Sequence, residues 1–337
     1  MPSEDFDIVP FTALDGVKLN FWRYRHSNHS KGPVMLVHGA GVRANLFCPP
    51  NETNLVKMLA AEGYDVWLEN WRASIEFPAN EWDLDQAGLN DHPAAVQKIC
   101  EVTGYKQIKV IIHCQGSTSF IISVVLGLVP QVSTIITNAV SLHPRVPGFS
   151  KIKLSYFVPP VKLLTTYLNP HWGIFAPTLL AKFFKAFVRL WHWEDDTMVG
   201  KFVSFTYGSG WPALWELANL TEETKNWIQE EFGAVPLNFF KNILTGVKRG
   251  ALAPVGSKSG TYTDEPPKTN ARIVFFAGRL NKCFLWESQK ASFDYFDKLQ
   301  PNRHKLYLLD KYSHLDVFLG KDAHKDIFPD MINELNK

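Results

Sequence analysis

One cysteine in this chain has surroundings that suit a nucleophile. Cys114 lies in Val110–Phe120, VIIHCQGSTSF, where three β-branched residues run straight into His113-Cys114-Gln115-Gly116. An apolar stretch follows with no proline until Pro130. That order reads as a buried strand, a tight turn and a helix. A thiol there has a helix N-terminus beside it, and a nearby imidazolium would lower its pKa further. His314, in Asp310-Lys311-Tyr312-Ser313-His314-Leu315-Asp316, could supply the imidazole. Asn281, in Gly278-Arg279-Leu280-Asn281, could orient it, with Asp310, Asp316 and Asn138 as rivals. Thiol, imidazole and orienting group together would carry out acyl transfer through a thioester. Cys114 alone would read as an inert buried thiol, since free cysteines are among the most buried residues. His113 reads as a packed strand-end residue and His38 as support for its own turn. Cys114, Cys283 and His314 are donor types that zinc accepts, but a nucleophile at such a turn needs no metal, and neither metal nor cofactor is expected.

These residues need a scaffold of alternating strands and helices. Phe11–Tyr24 alternates around Asp15-Gly16, a hairpin signal. Gly32-Pro33 opens PVMLVHGAG, a buried-type strand ending in His38-Gly39-Ala40-Gly41, a turn whose backbone N–H groups can face a ligand. The pattern then predicts a helix over about 45–62, a strand at 64–68, a helix over 84–103 kinked at His92-Pro93, and strands at 106–113 and 131–142. From about His143 to Asn270 the alternation stops. Pro159-Pro160, helical stretches and many Trp and Phe residues fill this segment instead. A strand at 271–277, a helix at 287–299, a strand at 305–309 and a C-terminal helix complete the chain. Alternating strands and helices imply a parallel sheet with right-handed crossovers. The reading is therefore an α/β core formed by 1–144 and 271–337, with a mainly helical cap, 145–270, inserted between two sheet strands.

Composition agrees with one large domain carrying an insertion. The chain has 337 residues, 46% hydrophobic and 20% charged, ample for a packed core. A net charge of +2 without a Lys/Arg run excludes a nucleic-acid surface. The start, MPSEDFDIVP, has no apolar h-region, so no signal peptide is expected. The longest apolar run, Phe120–Val129, is too short to cross a bilayer, so no integral membrane segment is expected. Cys48, Cys100, Cys114 and Cys283 lie far apart without CxxC spacing, which suits reduced thiols in a cytoplasmic protein. The oligomeric state is left open.

The motifs resemble those of a known superfamily. The order Cys114, Asn281, His314, each just beyond a strand, matches the nucleophile–acid–histidine order of α/β-hydrolases, and Ile112-His113-Cys114-Gln115-Gly116 resembles their nucleophile elbow. A thiol replaces the commoner serine, and Ile112 stands where glycine is usual. YDVWLENWR (64–72), HCQGS (113–117) and YSHLDVFLG (312–320) are similar to stretches of the acid lipase family. Cys in the elbow together with GxxNxCF resembles hydrolase domains found alone or attached to bacterial sterol-oxidase-like proteins. The likeness covers 32–144 and 271–329, not the cap. It implies an α/β-hydrolase fold, a mostly parallel central sheet flanked by helices with an inserted helical cap. It also implies Cys114 as nucleophile, His314 as base, Asn281 in the acid's position, and the Ala40 and Gln115 N–H groups as the oxyanion hole. Asn281 is neutral where acid lipases carry Asp. A preformed thiolate–imidazolium pair would ask of it only that its amide oxygen accept from the ring N–H, as in Cys-His-Asn proteases.

The expected activity is hydrolysis of an ester or thioester with a bulky, hydrophobic acyl or alcohol group. An acyltransferase using the same acyl-cysteine, or a non-catalytic ligand-binding protein on a hydrolase fold, are the alternatives. The expected partner is that small hydrophobic substrate. Cap aromatics Trp191, Phe205 and Trp211 are candidates to line its pocket, although most such aromatics pack the cap onto the sheet.

Overall fold

The computed structural model describes residues 4–139, 142–209 and 213–337. Ten strands occur among them: β1 Phe6–Thr12, β2 Lys18–Tyr24, β3 Pro33–Val37, β4 Asp65–Asn70, β5 Ile108–His113, β6 Val132–Asn138, β7 Tyr167–Leu168, β8 Val235–Pro236, β9 Arg272–Gly278 and β10 Lys305–Leu309. Eight form one sheet in the order β1-β2-β4-β3-β5-β6-β9-β10. The β1–β2 and β2–β4 pairings are antiparallel and all others are parallel. Every residue of β3 and β4 is buried, as befits parallel strands covered on both faces. Val34 and Leu36 face one core with helices Leu55–Ala61 and Phe328–Leu335. Met35 and Val37 face the other, with helices His92–Thr103 and Cys114–Val125. This is the period of two expected of a strand.

Two helices differ from the sequence expectation. The helix expected over 45–62 is broken: a short turn, Ala44–Phe47, precedes Pro49-Pro50, and the α-helix proper is Leu55–Ala61. Proline lacks the N–H that a helix interior needs, and Asn54 restarts the helix by accepting from the Lys57 N–H. The 84–103 helix is continuous, but a wide turn at Ala87–Asp91 absorbs His92-Pro93.

Between β6 and β9 the main sheet receives no strand among the described residues. This segment holds helices Gly148–Ile152, Val158–Lys162, Leu179–Trp191, Met198–Tyr207, Glu222–Trp227 and Asn238–Arg249, with the small antiparallel pair β7–β8. Residues 251–270 then run back along the core: Leu252 N–H donates to Leu142 O, and Lys268 N–H to Val125 O. The C-terminal ends of β3, β5, β9 and β10 all face the inserted helices. They carry, in turn, the Gly39 turn, Cys114, the Asn281 turn and the His314 loop.

Candidate active site

β5 enters helix Cys114–Val125 with no intervening loop, and Cys114 takes φ +56. Left-handed backbone is costly for any residue with a side chain. Tight packing holds it there. A Cβ on Gly39 would lie 2.8 Å from Cys114 Cβ, and one on Gly116 would lie 2.2 Å from the His38 carbonyl oxygen. Only glycine fits at either place. Ile112 is accommodated as an ordinary strand residue, fully buried and paired with Thr137.

Around the thiol the geometry is specific. Backbone N–H groups of Gln115 and Ala40 lie close enough to Cys114 to favour its thiolate, a pair of donors of the kind that can hold an oxyanion. His314 is buried, its Nε2 without a hydrogen-bond partner among the described residues. Cys114 Sγ and a ring nitrogen from each of His314 and His113 lie within 4.8 Å of one another. That is the metal-type grouping the structure assembles at this site, and it includes His113 rather than Cys283.

The residue that meets His314 Nδ1 is Asn281, at 2.9 Å. Its rivals are occupied elsewhere. Asp310 is exposed and pairs with Arg279. Asp316 accepts from Ser313 N–H and from Asn219. Asn138 accepts from His113 Nδ1 at 2.8 Å and donates to Phe276 O.

The Asn281 amide, however, is turned opposite to the sequence expectation. Its Oδ1 accepts from the backbone N–H groups of Cys283 (2.9 Å) and Phe284 (3.2 Å). The NH₂ is therefore the group that faces His314 Nδ1, and the ring nitrogen must accept. Flipping the amide would set an NH₂ against two N–H donors. The resting imidazole thus carries its proton on Nε2, and an imidazolium would place its Nδ1–H against the NH₂. Burial pushes the Cys114 thiol up to about 12, against the pull of the Gln115 and Ala40 N–H groups. Burial, with the neighbouring His113, pulls His314 well below the usual histidine range. The resting pair is a neutral thiol and a neutral imidazole, and the expected preformed ion pair does not fit this geometry.

An apolar cavity of about 350 Å³ adjoins the site. Gln115, Cys283 and Tyr207 line its inner end, with Phe205, Phe187 and Trp191 further out. Trp211 lies outside the described residues. Phe184 and Phe202 are core residues, whereas Trp193 is 72% exposed. Two features were missed in the sequence. Tyr207, at the end of its helix, donates to Ala40 O at 3.3 Å and so braces the donor turn from the inserted segment. No motif marks it. Behind the elbow, Ser119 Oγ contacts His92 Nε2 at 2.7 Å, and His92 Nδ1 contacts Glu69 at 2.9 Å. All three are fully buried, so this triad-like chain reaches no substrate and ties the elbow helix to β4.

No protein-family model matches the chain. Sterol esterase 2 of Saccharomyces cerevisiae is 22% identical over 98% of this chain and 69% of its own length. Lipase member K of Homo sapiens is 31% identical over 49% of this chain, which covers 43% of that lipase. A thermophilic esterase from Thermogutta terrifontis superposes with a TM-score of 0.60 at 10% identity, over 98% of this chain and 100% of its own.

Proposed function

Because the chain belongs to the α/β-hydrolase superfamily, we propose that it hydrolyses esters of long hydrophobic acyl or alcohol groups through an acyl-Cys114 intermediate. One observation carries this reading: the strained Cys114 has two backbone N–H groups close to it and an apolar cavity beside it. The sterol esterase and lipase names of its relatives support the same substrate class. Residues 145–270 act in this account as the cap that encloses the hydrophobic chain.

In the first step Cys114 Sγ attacks the ester carbonyl carbon while its proton passes to His314 Nε2. The carbonyl oxygen becomes an oxyanion held by the Ala40 and Gln115 N–H groups. The C–O bond then breaks, and His314 gives its proton to the leaving alkoxide. Water, deprotonated by His314, cleaves the thioester in the same way. To accept the proton His314 must present a bare Nε2, which sets its Nδ1–H against the Asn281 NH₂. An unpaired buried donor costs about 1–3 kcal/mol. The base-competent tautomer is therefore a minor one, and turnover is slow for this fold.

A second reading, a hydrolase-fold protein that binds a hydrophobic ligand without turning it over, is favoured by that same Asn281 orientation. A series of p-nitrophenyl esters from acetyl upward separates the two. The catalytic reading predicts kcat/KM rising with each methylene, by up to about 0.8 kcal/mol each, until the cavity is full, and no turnover by Cys114→Ala. Turnover that persists in Cys114→Ala, or specificity falling beyond acetyl, contradicts it.

A further inference from the structure

The inserted helices present an apolar and basic face that no other described residue covers. Among the described residues, fourteen of the twenty-three large exposed hydrophobic side chains fall between Phe149 and Trp193. They include Tyr156 at 73%, Leu163 at 87%, Leu179 at 86%, Leu190 at 71% and Trp193 at 72% exposed. Scattered exposed hydrophobics are ordinary; a concentration of this kind marks an interaction surface. Helix Leu179–Trp191 shows how it is built. Ala181, Phe184 and Val188 form its buried stripe. Leu179, Phe183 and Leu190 form a second apolar stripe that points away from the protein, and Phe187, 37% exposed, lies between that stripe and the cavity. Lys182, Lys185 and Arg189, spaced three and four apart, form a third stripe on its flank.

Charge identifies the occupant. Between Glu101 and Glu194 the sequence has no Asp or Glu, while residues 145–193 carry seven Lys and Arg, of which Lys153 alone turns inward, to Phe205 O and Gly208 O. None of those seven makes an ion pair among the described residues. A second copy of this face would meet it with like charge. A protein groove would have to be lined with acids. An anionic lipid surface offers both an apolar layer for the Leu, Phe and Trp side chains and phosphates for the Lys and Arg. The helix is 13 residues long, and no helix of the described residues is long and apolar enough to cross a membrane. Contact through this face is therefore peripheral. Phe157, Phe187 and Trp191 belong to the exposed face and also line the cavity, so the cavity mouth opens onto the docked surface.

We propose that this face, built on helix Leu179–Trp191 and the segment Gly148–Lys162, docks the protein onto anionic lipid bilayers. Binding is read without turnover, so the proposal stands or falls separately from the catalytic reading. The test is sedimentation of the full chain with phosphatidylcholine vesicles, with and without a third of phosphatidylglycerol, at low and high salt. The expected result is strong binding to the anionic vesicles, weak binding to the neutral ones and release by salt. Each cation near the surface is worth about fivefold in partitioning, so K182Q/K185Q/R189Q should weaken binding by about a hundredfold. L179S/F183S/W193S should weaken it at least about tenfold through lost apolar contact. All six positions are on the surface rather than in the core, so both variants keep the fold, which circular dichroism checks. Equal binding to neutral and anionic vesicles would overturn the charge argument, and no binding to either would overturn the whole proposal. A concentration-dependent dimer that L179S/F183S/W193S dissolves would also overturn it, by assigning the face to a second copy.

Discussion

At the scale of single residues, the orientation of one amide sets the chemistry of the site. Asn281 uses its oxygen to hold its own turn, through the Cys283 and Phe284 N–H groups, and leaves only donors for His314. An aspartate in the same place would accept from that turn with one oxygen and from His314 Nδ1–H with the other. Asn281→Asp should therefore release the base-competent tautomer and raise kcat/KM roughly five- to hundredfold, the rate equivalent of about 1–3 kcal/mol. The thiol gives an independent readout. Burial holds Cys114 high, and only the thiolate reacts with an alkylating agent. Wild-type alkylation should be slow at neutral pH and climb about tenfold per unit between about pH 7 and 10. In Asn281→Asp the same curve should shift to lower pH. A rate that is already level below pH 7 in the wild type, or a slower Asn281→Asp enzyme, would show that the amide does not govern the pair. The order Cys114, Asn281, His314 was legible in the sequence because each residue follows a strand. The amide's direction was not, since it depends on two backbone N–H groups that only the folded turn aligns. For the same reason Asp316 read as a rival, although it accepts within its own loop.

At the scale of elements, the elbow depends on what is packed behind it. Helix Cys114–Val125 is tied to β4 through Ser119, His92 and Glu69, a fully buried polar chain. Burial pushes the Glu69 carboxyl up, and the adjoining His92 offsets part of that rise. Ser119→Ala would strand His92 Nε2 without a partner and should cost about 1–3 kcal/mol, measured by urea unfolding. A change under about 0.5 kcal/mol, the range of an indifferent surface site, would mean the network does not anchor the helix. Strands were the most legible elements: β-branched runs bounded by Gly or Pro, such as β3, have one reading. The 45–62 stretch carries a continuous apolar pattern, but Pro49-Pro50 interrupts it and the helix forms only over Leu55–Ala61. The aromatic spacing of Leu179–Trp191 predicts packing, and one stripe, with Phe184, does pack. The second stripe is exposed, and aromatic spacing alone does not say which side of a helix has a neighbour.

At the scale of the molecule, the sheet's C-terminal edge, the apolar cavity and the exposed basic-aromatic face lie in succession. The parallel sheet brings the ends of β3, β5, β9 and β10 together, and helices from one long insertion supply the walls of the cavity. A hydrophobic ester would enter from that face and lie along Phe187, Phe205 and Tyr207 with its carbonyl at Cys114. The central claim is that a covalent acyl-thioester forms on Cys114 during turnover. The most direct measurement is intact-mass analysis of the full chain, quenched in acid during reaction with a long-chain p-nitrophenyl ester and then mapped by peptide. The account predicts a mass increase equal to one acyl group, located on Cys114 and removed by neutral hydroxylamine. Steady hydrolysis with no adduct at Cys114, or an adduct on another residue that persists in Cys114→Ala, would contradict it.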